Sequence, residues 1–348
     1  MPRPDGSGPP RLPGRTVART GGPRRFPRIG WKRGIALAVG IVVVGFCFWL
    51  YLGYRAFSQE MANANKRIDK RTRAALTPDH GSILTTPQVT MIMGSDSRGA
   101  NVMSGARSDS ILLVRTDPSK HLVSMLSVPR DMYVNVPGHG RAKINAAFAW
   151  GGPPLLIKTI RQYTGLPINH VVVVDFKGFK ELIDAVGGVT VDNPWKLVSS
   201  SPFDGIYWHF RKGPIHLDGR HALAYARIRK TTNPNDSDIT RTERQQRVLQ
   251  ALSHKLVTPS NIFNLPTIGR ALAKPLATDL TAPDMLELGW VKFRAGRTVK
   301  CHLGGSPVTI GGQDVIQPAP QNISVIGMFL GKQAPQPAPA HELFAPGC

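Results

Sequence analysis

Residues 225–247 read YARIRKTTNPNDSDITRTERQQR, with Arg227, Arg229, Arg241, Arg244 and Arg247 interleaved with Asp236, Asp238 and Glu243. A guanidinium binds a phosphoryl group through two parallel, charge-assisted hydrogen bonds, so a run of this kind suits a phosphate ligand. It equally suits an internal network of ion pairs. Local periodicity bears on the choice. Thr240 with Glu243 three residues on matches a capping box, and no helix breaker follows before Leu256. The apolar stripe of that helix is Val248, Leu249, Leu252 and Leu256. Extended backwards by whole turns it meets Gln245 and Arg241, which therefore face the core. A guanidinium turned inward needs compensation, and an anion at a helix N-terminus would supply it. If the backbone after HALAYA is extended, Arg227 and Arg229 share one face.

Two further clusters carry carboxylates. MGSDSRG follows one apolar run and GARSDS precedes the next, so Asp96 and Asp109 fall at the ends of neighbouring segments. Two carboxylates, waters and phosphate oxygens are a normal ligand set for Mg²⁺. SVPRD sets Arg130 and Asp131 after a third run. Taken singly, each Asp–Arg pair also reads as an ion pair within a loop.

These residues need a scaffold. QVTMIMG, residues 111–114, residues 122–128 and HVVVVDF are short and rich in β-branched residues, which predicts buried strands. Between them PPLLIKTIRQY starts with proline, as helices do, and FKGFKELIDAVGG ends in a glycine pair suited to a left-handed cap. Alternation of this kind predicts an α/β sheet covered on both faces. No Cys/His spacing suggests zinc. Cys301 and Cys348 read either as a disulfide or as two free thiols.

Residues 34–54, GIALAVGIVVVGFCFWLYLGY, are uncharged and long enough to cross a bilayer, with Trp31, Trp49, Tyr51 and Tyr54 near the ends as interfacial anchors. The nearest basic residues, Arg24, Arg25, Arg28, Lys32 and Arg33, favour a cytoplasmic N-terminus and an extracytoplasmic remainder. The formal charge of +22 points to an anionic partner, while 7% aromatics offers little base-stacking surface. A membrane-tethered DNA-binding regulator would need a cytoplasmic domain with a basic recognition helix. Here the arginines alternate with acids and extend a buried stripe, so no nucleic acid is expected.

GSDSR, RSDSILL, SVPRDMYV, KINAAFAWGG, VVDFKGFKELIDAVGGVTV, LDGRHALAYARIR and DITRTERQQR occur in order. Together this series resembles the LytR-CpsA-Psr proteins of Gram-positive cell envelopes, over about residues 89–256. The resemblance implies a three-layer αβα domain with a central mixed sheet, preceded by one N-terminal transmembrane helix. It also implies a phosphotransferase that moves a glycopolymer from a polyprenyl-pyrophosphate carrier onto peptidoglycan, with Mg²⁺ (or Mn²⁺). Carried over by motif, Asp96 and Asp109 hold the metal. Arg98, Arg107, Arg130, Arg227, Arg229, Arg241 and Gln245 surround the pyrophosphate. Asp238 is a catalytic candidate with Arg98, Arg130, Arg227 and Arg241; Asp131, Lys143 and Arg244 also match. Hydrolysis of the pyrophosphate, with water as acceptor, is the rival chemistry. Phe148, Trp150 and Asn169 depart from common family residues. The expected organisation is a disordered basic tail (1–33), the transmembrane helix (34–54), a stem and linker (55–87), the catalytic domain (88–293) and a largely irregular extension (294–348).

Overall fold

A computed structural model of the chain describes residues 31–79, 81–95, 108–228, 231–232, 238–256, 258, 265–339 and 344–348. Two compact units divide after Cys47. The first is described from Trp31 as helix, with Ile35, Val39, Val42 and Val44 each more than half exposed. It belongs to α1 (Trp31–Lys66), which from Ile35 contains an 18-residue stretch of mean hydropathy 2.5 and is long and apolar enough to cross a membrane.

The second unit is built on a six-stranded mixed sheet. Its strands are β1 (Gln88–Ser95), β2 (Ser108–Asp117), β3 (Leu122–Val128), β6 (His170–Asp175), β11 (Leu276–Thr278) and β12 (Arg297–His302), in the order β11-β6-β1-β2-β3-β12. β1 and β6 run parallel, as do β3 and β12, and the other pairs are antiparallel. β1 is buried along nearly its whole length because both faces are covered, the state its unbroken apolar run requires.

One face packs on α2 (Lys70–Ala75), α3 (Ile144–Thr164) and α9 (Asn322–Phe329) through Met91, Met93, Leu113, Leu126, Val171 and Val173. α3 bends at Gly151–Gly152, where Gly152 takes φ 62, so a second helical segment starts at the predicted Pro153. The alternating residues Ile92, Val172 and Val174 point the other way. They meet Phe57, Met61 and Ala64 of α1 together with α8 (Ala282–Arg294). Beside them a second cluster joins α4 (Phe176–Ala185), α5 (Gly219–Arg227), α6 (Asp238–Leu256) and α7 (Leu265–Ala273) to a hairpin of β7 (Val189–Asn193) and β10 (Gly213–Leu217).

Two expectations are corrected and one open alternative is decided. Residues 55–87 are no free stem: Ala56, Met61, Ala64, Ile68 and Ile83 are buried in the second unit. The extension 294–348 is not largely irregular. It supplies β12 at the sheet edge, a hairpin of β13 (Gly305–Ile310) and β14 (Gln313–Pro318), and α9. Val299, Cys301 and Leu303 alternate inward there, so burial of every second residue overrides a Gly- and Pro-rich composition. The folded unit accordingly continues past residue 293. Finally, Cys301 and Cys348 are joined as a disulfide, which resolves the two readings of these cysteines.

Candidate functional site

Strand register brings several chain ends to one edge of the sheet. Ser95 pairs with Asp175 and with Ser108, Ile111 with Val128, and His302 with Ser127. The C-terminal ends of β1, β3, β6 and β12 and the N-terminal end of β2 therefore lie together. Asp109 has a special position in this register. Gly94 pairs with Ser110 and Ser95 with Ser108, leaving Asp109 as the extra residue of a β-bulge. Bulges recur beside active sites, where they re-aim one side chain.

Over this edge, between the sheet and α4, α5 and α6, lies a cavity of about 130 Å³. Ile92, Leu112, Val174, Phe179, Leu223 and Leu249 give it an apolar wall. Arg227, Arg241, Gln245 and His302 are the groups on its surface best able to bind or polarise an anion. Arg241 is only 5% exposed, so its charge acts where solvent screening is weak.

The four described arginines of the block divide the work. Arg227 ends α5, whose first turn is capped by Asp218 accepting from the backbone N–H of His221 at 2.8 Å. The backbone before Arg227 is therefore helical and not extended, because an N-cap followed by Ala- and Leu-rich sequence favours helix. Its guanidinium lies over the rings of Phe176 and Phe203. Arg241 sits on the first turns of α6. That helix begins at Asp238, so Thr240 lies inside it and does not act as the expected cap. Arg244 is 1% exposed and donates through Nε to the carbonyl of Tyr225 at 3.0 Å and through a terminal nitrogen to that of Ile228 at 2.5 Å. Gln245 donates to the Ala226 carbonyl at 3.2 Å. Arg244 and Gln245 thus staple α6 to the end of α5 and hold Arg227 and Arg241 on one cavity. Arg247 pairs with Glu243 at 3.0 Å within the block. Burial pushes the Tyr225 phenol above its ordinary range, against the pull of Arg247 and Arg244.

Arg130 follows Pro129, which lines the cavity, but Arg130 is not itself among the described lining residues. Its Nε stands 3.6 Å from the Asp131 carboxylate, which Lys143 approaches at 3.3 Å from the other side. Asp96, Arg98, Arg107 and Arg229 lie outside the described residues, and for Asp109 and Asp238 only the backbone is described. Phe148 packs in the core, Trp150 stacks on His139, and Asn169 accepts from the Val89 N–H at 2.9 Å.

Sequence reasoning missed Phe176, His302, Leu303 and Phe344 as cavity walls. His302 pairs with Gly347 through both backbone hydrogen bonds, and its Nε2 lies 2.7 Å from the carbonyl oxygen of Ala345. The period-two run Val299–Cys301–Leu303 was the available signal.

The sequence model of the LytR_cpsA_psr family matches residues 50–308. The chain is 32% identical over 260 residues to the polyisoprenyl-teichoic acid–peptidoglycan teichoic acid transferase TagU of Bacillus mycoides (strain KBAB4), covering 74% of this chain and 81% of that one. It also resembles the crystal structure of B. subtilis TagV, with TM-score 0.59 and 30% identity over 72% of this chain and 99% of that one. A structure of TagT bound to LIIa-WTA matches with TM-score 0.58 and 26% identity, over 73% and 93% of the two chains.

Proposed function

Because the chain belongs to the LytR-CpsA-Psr family, we propose that it is a membrane-anchored phosphotransferase that moves a glycopolymer from a polyprenyl-pyrophosphate carrier onto peptidoglycan. The observation that carries this reading is the pairing of Arg227 and Arg241 with an apolar wall in one cavity. An anionic headgroup on a hydrocarbon tail is the ligand such a surface recognises. The relative named as a teichoic acid transferase and the TagT structure with LIIa-WTA point the same way.

A peptidoglycan sugar hydroxyl attacks the glycan-linked phosphorus. The bond between that phosphorus and the bridging oxygen breaks, and polyprenyl phosphate leaves. Such transfer is mainly positioning and neutralisation of charge on phosphoryl oxygens. Arg227 and Arg241 supply fixed positive charge, and Gln245 with Arg244 fixes where that charge stands. Arg98, Arg107, Arg130 and Arg229 are assigned to the same headgroup by family motif. Asp96 and Asp109 are assigned to Mg²⁺, which when bound would neutralise the diphosphate. Supporting this pair is the register, since residue 96 directly follows the partner of Ser108 and residue 109 is the bulged one. Calorimetric titration of Mg²⁺ into the wild type and Asp109→Asn checks it, with binding expected for the former alone. Asp131, held between Arg130 and Lys143, is read as an anchor for Arg130, and Asp238, three residues before Arg241 at the start of α6, as a catalytic candidate.

The same reading puts the second unit outside the cytoplasm. It is supported by the basic residues before the apolar run and by the Cys301–Cys348 disulfide, which suits an oxidising compartment. Full-length protein in vesicles, given a polyprenyl-pyrophosphate-linked glycan with and without peptidoglycan, tests the activity. Glycan covalently attached to peptidoglycan is the expected product, and glycan phosphate formed equally well without peptidoglycan would establish hydrolysis instead.

A further inference from the structure

α8, with the sequence APDMLELGWVKFR, has two apolar faces and only one is covered. Ala282, Met285, Leu288 and Val291 pack on Phe57, Met61 and Ala64 of α1. Leu286, Trp290 and Phe293 point elsewhere, at 55%, 53% and 80% exposure. Spacings of four and three residues align them on one strip of helix surface. The rings of Trp290 and Phe293 lie 5.8 Å apart, so the two aromatics form one patch.

The charges around this strip are sorted. The acids of α8 are partnered within the chain: Asp284 closes the capping box with Thr281, and Glu287 accepts from the Ser82 hydroxyl at 2.8 Å. The cations Lys292, Arg294, Arg297 and Lys300 are exposed at and just beyond the C-terminal end of the helix. A tryptophan and a phenylalanine beside a cationic rim match the boundary between acyl chains and anionic headgroups. The sequence supplies proximity as well. Phe57 and Met61, on which α8 rests, come only three and seven residues after the apolar run that ends at Tyr54. At 1.5 Å per helical residue, seven residues amount to about 10 Å.

We propose that the Leu286–Trp290–Phe293 strip of α8 inserts into the surface of an anionic lipid bilayer, giving the folded unit a second membrane contact beside its helical anchor. Two attachments fix the orientation of the unit towards the membrane, whereas one helix leaves it free to swivel. The proposal is independent of which polymer, if any, the protein transfers.

The test uses the full chain reconstituted in vesicles of phosphatidylglycerol and phosphatidylethanolamine. A photoreactive residue is introduced as Phe293→p-benzoylphenylalanine, at a side chain outside the core. A separate control is Tyr207→p-benzoylphenylalanine, at a position 59% exposed and remote in sequence from α8. After irradiation, lipid adducts are expected at position 293 and not at 207. Chain-to-chain adducts at 293 would mean that a second copy covers the strip and would overturn the proposal. Equal lipid labelling at both positions, or no lipid adduct at 293, would overturn it too.

Discussion

The guanidinium carbon of Arg227 lies 4.2 Å from the centre of the Phe176 ring and 5.1 Å from that of Phe203. Two aromatic faces thus orient one cation at the cavity wall. The arrangement depends on Gly94, where a methyl group would stand 3.0 Å from the Phe176 ring and 2.9 Å from the Ser110 hydroxyl. A cation–π contact of this kind contributes about 0.5–2 kcal/mol. Phe176→Leu, which keeps an apolar side chain, is expected to lower transfer about tenfold, since 1.4 kcal/mol corresponds to that factor. Initial rates in the vesicle assay check it.

Arg241→Ala removes a buried charge from the cavity itself. Loss of one preorganised group that stabilises developing charge costs about 10²–10³ in rate. That loss is expected with a circular dichroism melt close to that of the wild type. A collapsed melt in place of a lost rate would show that Arg241 serves the fold.

Arg244, one position of the same block, is expected to behave in the opposite manner. Arg244→Met strands the carbonyls of Tyr225 and Ile228 inside the protein. Charge-assisted hydrogen bonds of this kind are worth about 1.5–3 kcal/mol each, so a loss of about 3 kcal/mol is expected in denaturant titration. Activity per folded molecule should then decline only through the loosened α5–α6 junction.

The His302 imidazole is held below its ordinary value of 6.5, chiefly by burial, against the opposing effects of the Ala345 carbonyl and Glu243. The folded form therefore takes up this proton at lower pH than the unfolded chain. The stability at stake is fully present above 6.5 and is lost as pH falls through the folded value. Melting temperature should drop from about pH 7 to about pH 5 more steeply in the wild type than in His302→Gln.

The Cys301–Cys348 disulfide spans 47 residues. Closing a loop of that size in the unfolded chain is worth about 4 kcal/mol on the chain-entropy account. Cys348→Ser, or reduction of the wild type, is expected to lower the melting temperature. It should also free the segment that brings Phe344 to the cavity, which a fluorescent isoprenoid probe would register as weaker binding.

The parts of this architecture legible in the sequence are those with strong local periodicity. β1, β3 and β6 stand where their unbroken apolar runs predict, and the stripe ending in Gln245 and Arg241 does reach the cavity. Arg227 and Arg229, spaced by one residue, would share a face only on extended backbone, a condition local spacing does not decide, while the capped GRHALAYAR segment satisfies its own backbone as helix. α6 starts two residues before the expected Thr240, an error at the boundary and not in the face. Least legible was β12, whose partner β3 is remote in sequence, so no local pattern announces the pairing. Nor does any local pattern show that Arg244 turns inward to carbonyls while Arg241 faces the cavity. That division depends on where α5 ends.

The same remote pairing governs how the molecule matures. β3 ends at Val128 and β12 begins at Arg297, so about 170 residues must be synthesised before the sheet can gain its last edge. Contacts so distant close slowly. A nascent chain therefore carries the unpaired border of β3 through about half of its synthesis.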